Sequence, residues 1–440
     1  MKRQAFRLGG WFLCSRLVVG LTTAHSYTHT CSGTTENFCT TTSMGDKAKV
    51  RQAQEEAVWG LSIADALAMP VHWYYNPSDI KHGYGGWIRD YQAPNRKHPS
   101  SILTLSAIDG SGRSGWHSKA EPVIGSVILH DKLKFWTSRD RSIHYHQGMA
   151  AGDNTLNALV AQQSLKVMQE LDPDTSMDPR DLRAAVIENY VHFMTTPGSH
   201  GDTYAESFHR LFFREWREQE PPPTKGQDIL HFCENRYKEK ARQGSEDSQL
   251  PQIGALVLAI PWIVHYSSRP AQECAQLTTD AISMTHPAPS LMAYVELYAK
   301  LLWATIHGAD LQQEVMATLG QPALGGSRKQ ALAQKLIAEG ERYAASSEGR
   351  LEHSQDVTSS LGSACYIDGA LSTMLFLAHQ FHANFEEGVL TNANCGGENA
   401  HRGAALGALL GAASVYRGQP IAAKWKEGLK SKQAIRQILK

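Results

Sequence analysis

The stretch that decides the fold runs Asn394-Cys395-Gly396-Gly397-Glu398-Asn399-Ala400-His401-Arg402-Gly403-Ala404-Ala405-Leu406-Gly407-Ala408-Leu409-Leu410-Gly411. It has two halves. Asn394 to Gly397 reads as a turn, because Asn and Gly reach positive φ at little cost. From Ala400 the residues are small and apolar, and Gly403, Gly407 and Gly411 fall four apart. That spacing puts them on one helical face. Glycine inside a helix costs about 1 kcal/mol against alanine, so three on one face predict a second backbone lying very close. The start of this helix carries Glu398, Asn399, His401 and Arg402. Free N–H groups and the positive dipole end point there. Ordinary capping accounts for Glu398 and Asn399 but for neither the glycine stripe nor Arg402, so the cluster is a candidate site.

Working outward, the 440-residue chain carries 43 Lys and Arg against 43 Asp and Glu. No global charge draws it to nucleic acid or to an anionic membrane. The seven cysteines show no zinc or CxxC spacing. The last four, Cys233, Cys274, Cys365 and Cys395, are scattered, as in a reducing compartment. Residues 1–45 differ from the rest. Lys2, Arg3 and Arg7 precede an apolar run broken by Arg16, and no acidic residue appears before Glu36. That suits an organelle transit or secretory signal, or a disordered extension; the run is too short to span a bilayer.

The fold is expected to begin near Glu55, where Ala57, Gly60, Leu61, Ala64, Leu67 and Ala68 mark one helical face. Asp65, on that small-residue helix, reads as a buried hydrogen-bond hub. Val71 to Leu105 is aromatic and histidine-rich with frequent Gly and Pro, which predicts a long structured loop. Its rings could stack a flat ligand or pack among themselves. His144 to Leu156 holds a second polar cluster, with His146 and then Gly152-Asp153-Asn154-Thr155 at the start of an amphipathic helix. His200 and Asp202 form a possible loop pair, and 214–250 is a charged stretch read as a surface insertion with a solvated face. Extended runs are few, so the domain from 46 to 440 is expected to be all-α, a single orthogonal helical bundle with long aromatic loops.

Asn-x-Gly-Gly, four polar residues, a Gly/Ala-rich helix and then Gly418-Gln419-Pro420-Ile421 and Trp425 resemble the C-terminal signature of the ADP-ribosylglycohydrolases. The opening helix through Asp65 and Pro70, the Gly152–Thr155 cluster and Thr285-His286 are similar to that family in the same order, from about Glu55 to Leu429. The resemblance implies hydrolysis of the bond between ADP-ribose and a side chain or hydroxyl, through an oxocarbenium-like sugar. The substrate would be an ADP-ribosylated protein or a small ADP-ribosyl compound. Mg²⁺ would hold ribose hydroxyls between paired carboxylates. Here the usual Asp-Thr-Asp-Thr is Glu398-Asn399-Ala400-His401, and the second Asp of Thr-Asp-Asp-Thr is Asn154. The motif carboxylates fall from four to two, which implies one Mg²⁺ or Mn²⁺, another metal, or none.

On this resemblance, Glu398 or Asp153 would activate water. Asp153, Thr155, Glu398 and His401 would be the cation donors. Asn154, Asn399, Arg402, Gly396, Gly397 and His146 would meet the substrate, with Arg402 on phosphate. The enzymatic reading requires the helix starts near Asp153 and Glu398 to face a shared cleft. The alternative is a non-catalytic ADP-ribose binder or structural relative.

Overall fold

The glycine stripe has the neighbour its spacing demands. In the computed structural model, residues 44–111, 121–243, 249–321, 327–340 and 346–440 are described. The glycine helix, Asn399–Tyr416, lies against the opening helix, Met44–Ala68. A Cβ on Gly407 would stand 2.2 Å from the Gly60 carbonyl oxygen, and one on Gly60 would stand 2.0 Å from that of Gly407. One on Gly411 would meet the Glu56 carbonyl at 2.2 Å. Nothing larger than hydrogen fits along this seam, so the two backbones touch directly and their polar ends are fixed in register.

Other helices wrap this pair. Every residue of Gly254–Tyr266 is buried, despite Pro261 in its interior, and it packs on both the glycine helix and Leu156–Leu171. Each large apolar side chain sealed there contributes roughly 1.5–3 kcal/mol. On Pro289–Ile306, the Tyr298 hydroxyl donates to the Ala405 carbonyl at 2.9 Å. Among the described residues the chain forms eighteen α-helices and no strand, only isolated bridges, which is the all-α class expected.

Two stretches contain helices that the sequence reading did not place. The aromatic loop contains a short helix, Ser78–Tyr84, closed by Gly85 at φ 69°. The charged stretch 214–250 contains a helix, Gly226–Gln243, whose Ile229, Leu230, Phe232 and Cys233 are buried. High charge concealed that inward face. No described helix is long and apolar enough to cross a membrane. The expectations for residues 1–43 lie outside the described residues.

Candidate functional site

Gly396 and Gly397 both sit at φ 64°, where an L side chain is strained. A Cβ on Gly396 would stand 2.1 Å from the Tyr74 carbonyl, and one on Gly397 would stand 2.2 Å from that of Ser363. The turn is therefore glycine because other backbones occupy its side-chain space. Its carbonyl at Gly397 accepts from Trp73 N at 2.7 Å, and Gly397 N donates to Tyr74 at 2.8 Å. The His98 ring donates to the His72 carbonyl at 2.8 Å, and the His144 ring to that of Pro70 at 3.0 Å. Trp73, a residue of positive φ (65°), is held in that conformation by these clamps.

The clamped strap aims two side chains at Glu398, which is 0% exposed. His72 Nε2 lies 2.9 Å from Glu398 Oε1, and the Trp73 indole N–H donates to Oε2 at 2.5 Å. From its own helix His401 Nδ1 approaches Oε1 at 2.7 Å. Burial works to raise the Glu398 carboxyl, but the His72 and His401 rings outweigh it and hold it well below the usual carboxylate range. Burial pushes His72 down to about 4, whereas the Glu206 and Glu398 carboxylates overcome burial at His401 and raise it to about 10.

Glu206, just ahead of the helix Ser207–Arg217, faces the same ring. Its Oε1 lies 3.5 Å from His401 Nδ1 and has no hydrogen-bond partner, while Oε2 accepts from Asn157 at 2.6 Å. A Cβ on Gly254 would fall 2.0 Å from Oε2, so the carboxylate fills the space of the missing side chain. Burial raises Glu206, and the Glu398 charge adds to it against the pull of His401. Behind His72 a chain continues: His72 Nδ1 to His146 Nε2 at 2.8 Å, then His146 Nδ1 to Asp202 Oδ1 at 2.7 Å. Asp202 Oδ2 accepts from the Leu156 amide at 2.7 Å. Asp202 thus pairs with His146, not with His200 as its spacing suggested.

The second helix start joins the network through a residue other than Asp153. Asp65 accepts from Thr155 Oγ1 at 2.6 Å, Thr155 N at 2.8 Å and Asn154 Nδ2 at 3.0 Å, which is the hub its setting implied. Asn154 Oδ1 accepts from Ser431 at 2.7 Å, tying in the C-terminal tail. The Asp153 carboxylate turns to the Ala150 amide in its own loop. Arg402 donates to Asn392 Oδ1 at 2.8 Å and to the Gly396 carbonyl at 2.9 Å. Asn399 donates to the Ala393 carbonyl at 2.8 Å. These two side chains brace the glycine turn from inside rather than face solvent.

The structure thus brings together Glu398, His401, His146 and, through Asp65, Thr155 and Asn154. His72, Trp73 and Glu206 are additional. His72 follows the opening motif within two residues of Pro70 but reads as one ring of an aromatic loop. Glu206 reads as a plain helix-start residue; no spacing signals it.

A pair of Mg²⁺ ions does not fit these side chains. Ala400, where the family places a carboxylate, packs with Ala68 and Ala393. Asn154 and Thr155 serve Asp65, and Asp153 is turned away. Among the described residues His72, Glu398 and His401 bring ligand atoms within 4.8 Å of one another. Two nitrogens and one oxygen suit a transition metal better than Mg²⁺. His72 Nε2 and His401 Nδ1 converge on one oxygen, Glu398 Oε1, at 2.9 and 2.7 Å, the first as a hydrogen bond and the second without hydrogen-bond geometry.

Trp73 also walls a recess of about 50 Å³ with Tyr145, Tyr204, Ser207 and Arg210, and Tyr75 at its rim is 45% exposed. Glu398 does not line this recess; Trp73 stands between the two.

The family model described as ADP-ribosylglycohydrolase matches residues 46–440. A solved chain described as an ADP-ribosylglycohydrolase-related protein complex is 18% identical, covering 89% of this chain and 97% of its own, with a TM-score of 0.44. No curated protein matches the sequence.

Proposed function

The chain belongs to the ADP-ribosylglycohydrolase family, and from that premise we propose that it hydrolyses an N- or O-glycosidic bond of an ADP-ribosyl or related ribosyl compound, with Glu398 and Glu206 as its two carboxyl groups. The observation that carries this reading is their placement on one ring nitrogen, His401 Nδ1, at 2.7 and 3.5 Å. Their proton affinities are driven in opposite directions. Pairs of carboxyls separated in this way divide into an acid and an anion.

Glu206, the member whose proton affinity burial raises, is the acid: in its protonated form it gives a proton to the departing side-chain atom as the bond to the sugar breaks. Glu398, the anion, faces the positive charge that develops on the ribose. It takes a proton from the water that adds to the sugar carbon. His401 lies between them, so protonation of Glu398 and deprotonation of Glu206 restore each other through one ring. Both Glu398 oxygens have donors, so the Trp73 N–H must withdraw before substrate is engaged. No step runs through a metal, because the side chains do not fit the family's pair.

The test uses an N-linked and an O-linked ADP-ribosyl peptide. Glu398→Gln is expected to remove hydrolysis of whichever is the substrate, by about 10³-fold or more, while circular dichroism stays that of the parent. Undiminished turnover takes Glu398 out of the reaction.

A further inference from the structure

The two carboxyl groups of the site are held differently. Glu398 has a hydrogen-bond partner on each oxygen, His72 on Oε1 and Trp73 on Oε2. Glu206 is bonded through Oε2, where the Asn157 amide donates at 2.6 Å, while its Oε1 is buried with no partner. A buried acceptor left unpaired costs free energy and calls for a reason. Oε1 faces His401 Nδ1 at 3.5 Å, an atom that is buried and likewise without a hydrogen bond. Two unsatisfied atoms thus lie side by side at the acid end of the site. The carboxyl is not free to turn and satisfy Oε1. Oε2 fills the space beside Gly254, where a Cβ would stand 2.0 Å from Oε2 and 2.8 Å from Asn157 Nδ2. Asn157 is fixed from behind. Its Oδ1 lies 3.0 Å from His209 Nε2, and the Tyr190 hydroxyl bonds the other nitrogen of that ring at 2.7 Å. With its oxygen on the ring, the amide turns its N–H₂ to Glu206. Asn157, His209 and Glu206 are all buried.

We propose that Asn157 and Gly254 are positioning residues of the hydrolysis: they hold Glu206 by Oε2 and leave Oε1 as the oxygen that serves the departing atom. The inference rests on Glu206 being the acid. A carboxyl bonded through both oxygens has to break a bond before it can act, whereas this one has only to gain a partner. The departing oxygen or nitrogen meets Oε1 and takes its proton. The bond from that atom to the sugar carbon breaks, and its electron pair stays on the departing atom. Glu206 is left as a carboxylate, and the Asn157 N–H on Oε2 then becomes a charge-assisted hydrogen bond, which is stronger than a neutral one. Asn157 therefore supports the carboxyl more in the product of proton transfer than before it.

The experiment compares two leaving groups. An ADP-ribosyl peptide, N- or O-linked as the parent accepts, releases a basic atom that needs the proton. An ADP-ribosyl nitrophenyl compound releases an anion that is stable without it. Asn157→Leu keeps a branched side chain and removes the donor, and Gly254→Ala keeps every polar group and presses on Oε2. Each is expected to lower kcat on the peptide by about 10²-fold with KM held, and by far less on the nitrophenyl compound, with circular dichroism unchanged. In a Glu206→Gln background neither lowers kcat on the peptide further. Equal losses on the two compounds, or a further loss in the Glu206→Gln background, overturns the proposal and leaves the enzymatic reading in place. If Asn157→Leu does not fold, Gly254→Ala decides; if the parent refuses the nitrophenyl compound, the double variants decide. A parent that cleaves neither compound removes the enzymatic reading and the positioning role with it, so the two failures are separable.

Discussion

The opening helix and the glycine helix meet twice, under opposite rules. Along their lengths, at Gly60, Gly407 and Gly411, the first atom a Cβ would meet is a backbone carbonyl oxygen, and there is no room for a methyl group. At the end of the same seam, around Ala68 and Asn399, His72, Glu398 and His401 crowd one another and Glu206 joins them from ahead of a third helix, Ser207–Arg217. The first region is governed by volume and the second by protons. The lesson is that they depend on each other. A carboxylate can be buried beside three donors only if the elements carrying them cannot drift apart, and hydrogen-sized packing fixes them there.

Substitutions should therefore divide by region. The largest loss of stability is expected from Gly407→Leu, which forces a side chain into the Gly60 backbone: about 3 kcal/mol or more, read as lost soluble protein or a collapsed melting temperature. A variant that melts like the parent breaks the comparison. Asn392→Leu, between the regions, takes the Oδ1 acceptor from Arg402 and should cost about 2–3 kcal/mol in denaturant unfolding. Glu206→Gln keeps the size of the side chain and the oxygen that accepts from Asn157 and should cost less than about 1 kcal/mol, yet lower hydrolysis by about 10²–10⁴-fold. Equal losses of stability from Glu206→Gln and Gly407→Leu would mean that both regions obey packing alone.

The smallest effect is one of pH. His401 has its proton affinity raised from 6.5 to about 10 in the folded chain. Its contribution is whole below pH 6.5 and disappears as pH climbs through about 10. The melting temperature should decline across that window, and His401→Gln should flatten the decline.

The dry region was legible in the sequence and the polar one only in part. A four-residue spacing of glycines has few physical explanations, and a close backbone is one of them. Asp65 was legible because a lone acid on a small-residue helix must find donors. Asp153 shows where this reasoning stops. Motif spacing brings residues 153 to 155 to a helix start, but successive side chains there leave in different directions, and Asp153 caps its own loop while Thr155 turns inward. Arg402 looked like a phosphate ligand because a guanidinium at a helix start suits an anion; carbonyls of the turn claimed it first. Glu206 could not be read, since its role comes from Gly254, 48 residues on, leaving room for its carboxylate. Trp73 was hidden for another reason: an aromatic residue at positive φ is a conformation that only distant clamps impose.

That tryptophan gives the protein an optical reporter of its own. Its indole is hydrogen-bonded to a carboxylate and stacked on the His72 ring at 4.2 Å, so its emission depends on both neighbours. On the proposed reading a ligand that engages Glu398 displaces this N–H, so occupancy should be visible as a change in emission even where nothing is cleaved. Ten tryptophans share the signal, and the difference between the parent and Trp73→Phe isolates the one that matters. Compounds could then be screened by light before any product is known.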